Sequence, residues 1–354
     1  MPILGIETSC DETSVAILQA DGRVDANLIA SQIERHRPFG GVVPEIASRE
    51  HLEHLMPLIR EALDKGGVRR EDLAGVAVTV GPGLIGALLV GVAAAQGLSW
   101  GLGIPLIAVN HLEGHIVSPY LRKGAAAIPL PRRFLSLVVS GGHSSIYDVR
   151  GGTPPRIWMV NRTRDDAAGE VFDKVAKFVG LPYPGGPHVE RVGASGNSGA
   201  HAFPLPQFKD EAPDFSFSGL KANAIRLARQ LGLQREQEKA DETPELADFC
   251  ASFQKAICDQ VIDRLDRVWD GLGQGEDRPS DIALAGGVAA NGELRRRITA
   301  WGSERNLVVR LPEREFCTDN AAMIGFAGLT LRGATGVTDP RRLKAASRLP
   351  VGLA

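Results

Sequence analysis

The chain has 354 residues, 44% hydrophobic and 23% charged, enough for two lobes with their own cores, and its formal net charge of -2 gives no overall field for nucleic acid. RNA contact would need local patches such as Arg122-Lys123, Arg132-Arg133, Arg295-Arg296-Arg297 or Arg341-Arg342-Lys344, each more readily read as a solvated face. Four cysteines without C-x-x-C spacing (Cys10, Cys250, Cys258, Cys317), a strand that begins by Ile3, and no apolar run near the roughly 20 residues that span a membrane lead to the expectation of a soluble, cytoplasmic protein without a cysteine-held zinc.

Apolar Ile3 to Ile6, polar Glu7 to Ser14 and apolar Val15 to Leu18 read as strand, tight polar loop, strand. Such a loop can hold a phosphate through backbone N–H groups, although Asp11 and Glu12 would repel one unless a cation intervened. A helix from Glu45 to about Lys65 carries a buried stripe of Ile46, Leu52, Leu55, Leu58 and Ile59. The strand Val76 to Val80 runs into Gly81-Pro82-Gly83-Leu84-Ile85-Gly86 and an apolar helix through Ala95, an arrangement that accepts anions. It is not the dinucleotide fingerprint, because a proline occupies the turn.

Next comes Asn110-His111-Leu112-Glu113-Gly114-His115, after a short buried strand. On a helix the two histidines lie one turn apart on one face, where they can share a metal ion. Spacing alone does not separate that from a pair of surface histidines. It is not H-E-x-x-H, since Glu113 stands two residues after His111, and Gly114 weakens the helix.

The pattern then restarts. Leu135 to Val139, the loop Ser140-Gly141-Gly142-His143-Ser144, and Ser145 to Val149 echo the first hairpin, while Asp281 to Ala285 followed by Gly286-Gly287-Val288-Ala289-Ala290-Asn291-Gly292 echoes the strand, glycine turn and helix at 76–95. The repeat predicts a duplicated α/β lobe with a cleft between copies, divided at 131/132, the second copy carrying an insertion at about 152–275. The insertion is expected to hold an aspartate-capped helix at 165–174, a rigid turn at 183–187, a mobile loop at 193–199 and a long helix from about Glu245 to Trp269. After a last strand at 307–311, Thr318 or Asp319 stands at or near a helix N-cap. Asp319 is either a plain cap or the third ligand beside His111 and His115, with the last helix returning to the first lobe. Two histidines and one carboxylate with open positions suit Fe(II), or zinc.

The motifs I-E-T-S-C-D-E-T-S, P-E-I-A-S-R-x-H, G-P-G-L-x-x-x-L-x-V-G, H-L-E-G-H, V-S-G-G-H-S, D-D-A-A-G-E-x-F-D-K, Y-P-G-G-P, F-S-F-S-G-L-K, G-G-V-A-A-N and C-T-D-N-A-A-M-I together resemble the universal tRNA threonylcarbamoyladenosine transferase family, bacterial type, over nearly the whole chain. Older descriptions call the family a glycoprotease, which the lack of H-E-x-x-H speaks against. The resemblance implies the actin/Hsp70/sugar-kinase (ASKHA) fold. It also implies transfer of a threonylcarbamoyl group from threonylcarbamoyl-AMP to N6 of the adenosine at tRNA position 37, with release of AMP, in tRNAs reading codons that begin with adenine. By motif it implies His111, His115 and Asp319 as ligands of one divalent metal, Fe(II) before zinc. It places Val138, Val139, Ser140, Gly141, Gly142, Asp173, Gly186, Glu190 and Asn291 at the adenylate; Glu190 stands where most relatives have Asp. Its implied partners are a smaller inactive paralogue of the N-terminal lobe and an ATPase. No feature identifies a general base, and Asp11 and Glu12 are the candidates.

Two other classes compete. A small-molecule kinase of the same fold would need a γ-phosphate site and a catalytic Asp, but not the two histidines. A non-catalytic nucleotide-binding scaffold would need no metal ligands.

Overall fold

The repeat in the sequence becomes two sheets of one strand order. The structure, a computed structural model, describes residues 1–152, 154–206, 208, 212–235, 242–272, 278–332 and 337–352. In chain order the first elements are β1 (Ile3–Glu7), β2 (Glu12–Leu18), β3 (Val24–Ser31), α1 (Ile33–His36), α2 (Pro44–Gly66), β4 (Gly75–Gly81), α3 (Ile85–Leu102), β5 (Leu106–Asn110) and α4 (His111–Val117). There follow β6 (Arg133–Val139), β7 (Ser144–Arg150), β8 (Arg156–Arg162), α5 (Ala168–Phe178), α6 (Gly185–Gly193), α7 (Ser218–Gln230), α8 (Pro244–Gly271), β9 (Asp281–Ala285), α9 (Gly292–Glu304), β10 (Val308–Arg310), α10 (Ala321–Ala327) and β11 (Val337–Thr338).

One sheet runs β11-β5-β4-β1-β2-β3 and the other β10-β9-β6-β7-β8. Without β11 the two orders correspond strand for strand. β1 pairs β4 and β4 pairs β5 in parallel; β6 pairs β9 and β9 pairs β10 in parallel. Buried strands on parallel ladders read as continuous apolar runs, which is why β4 and β9 were legible. β3 and β8 were not. β3 is only partly buried, and β8 exposes Trp158 and Met159, so neither shows a clean apolar pattern. β8 therefore belongs to the sheet, and the helical insertion begins after it rather than at 152.

Compact units fall at Met1–Arg132, Val149–Trp158 and Pro312–Ala354 for the first, and Arg133–Asp148 and Met159–Leu311 for the second. The sequence-based range of 132–354 for the second lobe is thus redrawn, because the end of the chain packs into the first unit. Glycines make that return possible. A β-carbon on Gly5 of β1 would run into the Ala321 carbonyl oxygen, and one on Gly325 into the Leu18 side chain, so α10 lies directly against β1 and β2. The Ala321 N–H also donates to Ser14 Oγ at 2.8 Å.

Other local expectations change for physical reasons. On α2 the buried face is Ala47, His51, Leu55, Ile59 and Ala62, whereas Leu52 is 67% exposed. α3 is 18 residues long and apolar enough by length and composition to cross a membrane, against the expectation that no such run exists. Here Ala87, Leu88, Gly91, Val92 and Ala95 bury one face of it beside β4 and α2. The helix expected at 165–174 starts at Ala168. Asp165 and Asp166 do not cap it; they accept from Phe217 N–H, Ser218 and Lys221. The loop expected to be mobile at 193–199 is pinned to α8: a β-carbon on Gly196 would strike the Ala247 carbonyl, and Asn197 N–H donates to Asp248 at 2.6 Å.

Candidate functional site

α4 starts where β5 ends. Asn110 Oδ1 accepts from the Leu112 N–H at 2.9 Å and caps the helix. His111 and His115 follow one turn apart, both buried, with ring centroids 4.8 Å apart. Gly114 between them, a weak helix former, is where α10 passes: a β-carbon would lie 2.8 Å from Ile324 Cδ1 and 3.0 Å from Met323 Cγ. α10 packs against α4 here, and the Ile324 and Met323 side chains take the space that a larger residue at 114 would need.

The segment before α10 delivers Asp319. Its Oδ1 lies 3.0 Å from His115 Nε2 and 3.5 Å from His111 Nε2. Among the described residues this is the only cluster of three potential metal-binding side chains, their ligand atoms all within 4.8 Å of one another. The cap of α10 is Asn320, whose Oδ1 accepts from Met323 N–H at 3.0 Å. The alternative of Asp319 as a plain cap is thereby removed.

A fourth residue, missed at the sequence level, orients the first ligand. Glu7, at the end of β1 and fully buried, has Oε2 3.1 Å from His111 Nδ1 and accepts from Thr79 Oγ1 at 2.5 Å and from the Ser9 N–H. A carboxylate on Nδ1 fixes that nitrogen as the protonated one and turns Nε2 toward Asp319, the outer partner that metal-binding histidines ordinarily have. A lone charge closing the apolar run Ile3 to Ile6 was the available signal. Burial by itself would depress the His111 pKa, but the Asp319 and Glu7 carboxylates outweigh it and carry the value up to about 9. Burial would likewise raise Glu7, yet the adjoining His111 holds it below the usual carboxylate range. Two carboxylates converging on a buried imidazole make a place for positive charge, and two imidazole nitrogens with a carboxylate oxygen are a donor set for a divalent cation.

Asp11 and Glu12 stand in the same unit. Glu12 begins β2, is buried and accepts from Ser31 Oγ at 2.9 Å. Burial first, then the Asp11 and Asp319 carboxylates, push its pKa well above the ordinary value.

The turn Gly81 to Gly83 does not offer its N–H groups to an anion. Gly83 N–H donates to the Ser347 carbonyl at 3.3 Å and Leu84 N–H to the Ser9 carbonyl at 2.8 Å. A β-carbon on Gly81 would run into the Ala346 carbonyl. These glycines admit neighbouring backbone.

The second unit gathers its own set. Val138 and Val139 end β6 with buried side chains, so only their backbone can face a ligand. In the loop that follows, a β-carbon on Gly141 or Gly142 would meet nothing within 4 Å. Behind the loop, Gly169 N–H donates to the Ser140 carbonyl at 3.1 Å, and Gly286, with φ +88, abuts the Val139 carbonyl. Asp173 accepts from Gly185 N–H at 2.7 Å, tying the Tyr183-Pro184-Gly185-Gly186-Pro187 turn to α5. Glu190 accepts from Gly292 N–H at 2.7 Å at the start of α9. Asn291 is committed at both ends: Oδ1 caps α9 by accepting from Leu294 N–H, and Nδ2 donates to Gln254 at 2.8 Å. Its first role is thus structural, and Gln254 was not foreseen.

A family model described as tRNA N6-adenosine threonylcarbamoyltransferase (TsaD) matches residues 23–326. The chain belongs to this family. A relative of that description from Moorella thermoacetica is 49% identical over 92% of this chain and 90% of its own, and one from Symbiobacterium thermophilum 46% identical over 99% and 97%. Among solved structures, HypF of T. kodakarensis aligns with a TM-score of 0.58 at 14% identity, covering 94% of this chain and 48% of that one. Component A of (R)-2-hydroxyglutaryl-CoA dehydratase from Acidaminococcus fermentans aligns at 0.50 with 16% identity, covering 94% and 96%. Those two likenesses concern fold alone, and the fold is of the actin/Hsp70/sugar-kinase type. Within the family frame, the match spans Asp319 and the cap of α10 but stops short of the C-terminal segment that meets Gly81 and Gly83.

Proposed function

We propose that this chain transfers a threonylcarbamoyl group from threonylcarbamoyl-AMP to N6 of the adenosine at tRNA position 37, releasing AMP, in tRNAs reading codons that begin with adenine. The observation that carries this over a kinase or a scaffold is the convergence on one point of the first unit of His111, His115 and Asp319, the last 204 residues after His115 in sequence. A sugar kinase has no use for that cluster.

The donor is a mixed anhydride with AMP as leaving group, and the exocyclic amine of adenine is a poor nucleophile, so the task is to hold and polarise the carbonyl. The N6–carbon bond forms as the carbonyl-to-phosphate oxygen bond breaks, and the amine must lose a proton. A divalent metal held by His111, His115 and Asp319, Fe(II) before zinc, would supply Lewis acidity and a template when bound. Glu7, and Ser9 with its Oγ 3.1 Å from His111 Nδ1, keep His111 oriented. The exposed Gly141-Gly142 turn beside Ser140 suits a phosphate or carboxylate, and Gly186 leaves room beside α5 for the nucleoside. Asp173 and Glu190 hold the turns that frame that space. Glu12, with its raised pKa, is the better candidate of the Asp11 and Glu12 pair to take the amine proton.

For partners we infer the smaller paralogue and the ATPase of the family. Exposed Leu52 and Met56 on α2 and Ile85 and Leu89 on α3, two helices packed side by side, provide an apolar face for the paralogue. Four free cysteines agree with a cytoplasmic setting.

Given threonylcarbamoyl-AMP and tRNA, with the partners present, the purified protein should form the modified nucleoside; given only threonine, bicarbonate and ATP, it should form none without the adenylate-forming enzyme. Asp319→Asn should bind metal more weakly than parent by more than about 100-fold, beyond the 10–100-fold typical of outer partners, and lose nearly all transfer. Full metal content and activity in Asp319→Asn would sink the proposed centre.

A further inference from the structure

The C-terminal segment lies beyond the family match, yet it threads through the first unit to the helix that carries the histidines. Gln96 Nε2 donates to the Pro340 and Leu343 carbonyls. Ala346 N–H donates to the Val80 carbonyl at 2.8 Å, and the Ser347 carbonyl accepts from Gly83. Leu343, Ala345 and Leu349 pack on the core around β4. The chain then reaches α4. Asn110 Nδ2 donates to the Leu349 carbonyl at 3.0 Å and the Pro350 carbonyl at 3.2 Å, and the Gly352 N–H donates to Glu113 Oε1 at 2.9 Å. Asn110 and Glu113 are 0% and 2% exposed.

α4 needs such support. Seven residues are too few for a helix to hold itself, and Gly114 weakens it further. Its rotation about its own axis decides where both imidazoles point. Asn110 works in two directions, capping α4 through Oδ1 and gripping the C-terminal segment through Nδ2. Glu113 lies between the two histidines in sequence and is anchored to Gly352.

We propose that residues 346–352 are a strap that positions the metal-ligating helix, with Asn110 and Glu113 as positioning residues that ligate nothing themselves. The inference rests on the metal reading of His111, His115 and Asp319 and adds a determinant of its geometry. Ligand sites tolerate only about 0.5 Å of misplacement, so loosening the strap weakens metal binding without removing a ligand.

The test is a Co(II) titration of the metal-free full chain, read by the visible absorption of the bound ion and by competition with a chelator. A chain ending at Arg348 loses both anchors; Glu113→Ala loses one; Glu113→Gln keeps an oxygen to accept from Gly352 N–H. The first two should bind Co(II) about tenfold or more weakly, as outer partners of metal ligands do, with an altered absorption band. Glu113→Gln should stay close to parent in affinity and band shape, which a loss of general stability would not explain. If the truncated chain does not fold, the Glu113 pair decides the matter. Parent-like affinity and spectrum in Glu113→Ala would overturn the strap. A parent chain that binds no more Co(II) than His115→Ala would overturn the metal centre, and the strap with it.

Discussion

Two loops hold corresponding places in the two sheets and have opposite fates. Residues 8–11 join β1 to β2, and residues 140–143 join β6 to β7. In the first, backbone is consumed: the Ser9 carbonyl accepts from Leu84 N–H, the Cys10 carbonyl from His51 Nε2, and the Asp11 carbonyl from Gln32 N–H. In the second, Ser140 and His143 bond across the turn and Gly169 and Gly286 back it, while Gly141 and Gly142 stand exposed. One copy of the repeat has become a buried cluster of charged and polar side chains suited to a cation. The other keeps an exposed Gly141-Gly142 turn. The same strand–loop–strand unit has thus taken two different forms in its two copies.

The largest effect should come from breaking the first loop's neighbour. Glu7→Gln keeps the shape but removes the charge that orients His111 and offsets a proton or cation there. Metal affinity should fall by about 10–100-fold, measured by chelator competition; an unchanged affinity would mean that Glu7 only supports β1.

A smaller effect sharpens the contrast inside the second unit. Gly286→Ala forces a side chain into φ +88 against the Val139 carbonyl and should destabilise the protein by about 1–3 kcal/mol in urea unfolding. Gly141→Ala, with nothing within 4 Å, should change stability by less than about 0.5 kcal/mol while weakening adenylate binding in calorimetry. If Gly141→Ala binds adenylate as parent does, the open loop is not the anion site.

The smallest effect is a pH dependence of the first loop's support. His51 is buried, with Nδ1 2.7 Å from Thr13 Oγ1 and Nε2 2.9 Å from the Cys10 carbonyl, and burial lowers its pKa from 6.5. The unfolded chain gains that proton near 6.5 and the folded chain only at lower pH. This contribution is therefore complete above 6.5 and is lost as pH falls through 6.5 toward the folded value. His51→Gln should flatten the decline in stability between neutral and mildly acidic pH. An identical slope in parent and variant would remove His51 from the account.

Much of this was present in local sequence. Buried parallel strands announce themselves as apolar runs, glycine turns mark strand ends, and two histidines four apart define a helix face whatever surrounds them. The doubled order of hairpin and strand-glycine-helix carried the fold class. Local pattern has no means of saying which partner a polar residue will find. Asp319 could be cap or ligand until Asn320 took the cap. Gly114 looked like a defect until α10 was seen to need the space. Asp165 and Asp166 looked like caps but serve residues 216–221. Gly81 and Gly83 looked like an anion cradle until the C-terminal segment occupied it. These decisions turn on which groups the packed chain brings together, near in sequence as for Asn320 and Met323 or far apart as for Gly83 and Ser347. Sequence fixes which side chains can bond, and only the packed chain determines which of them do.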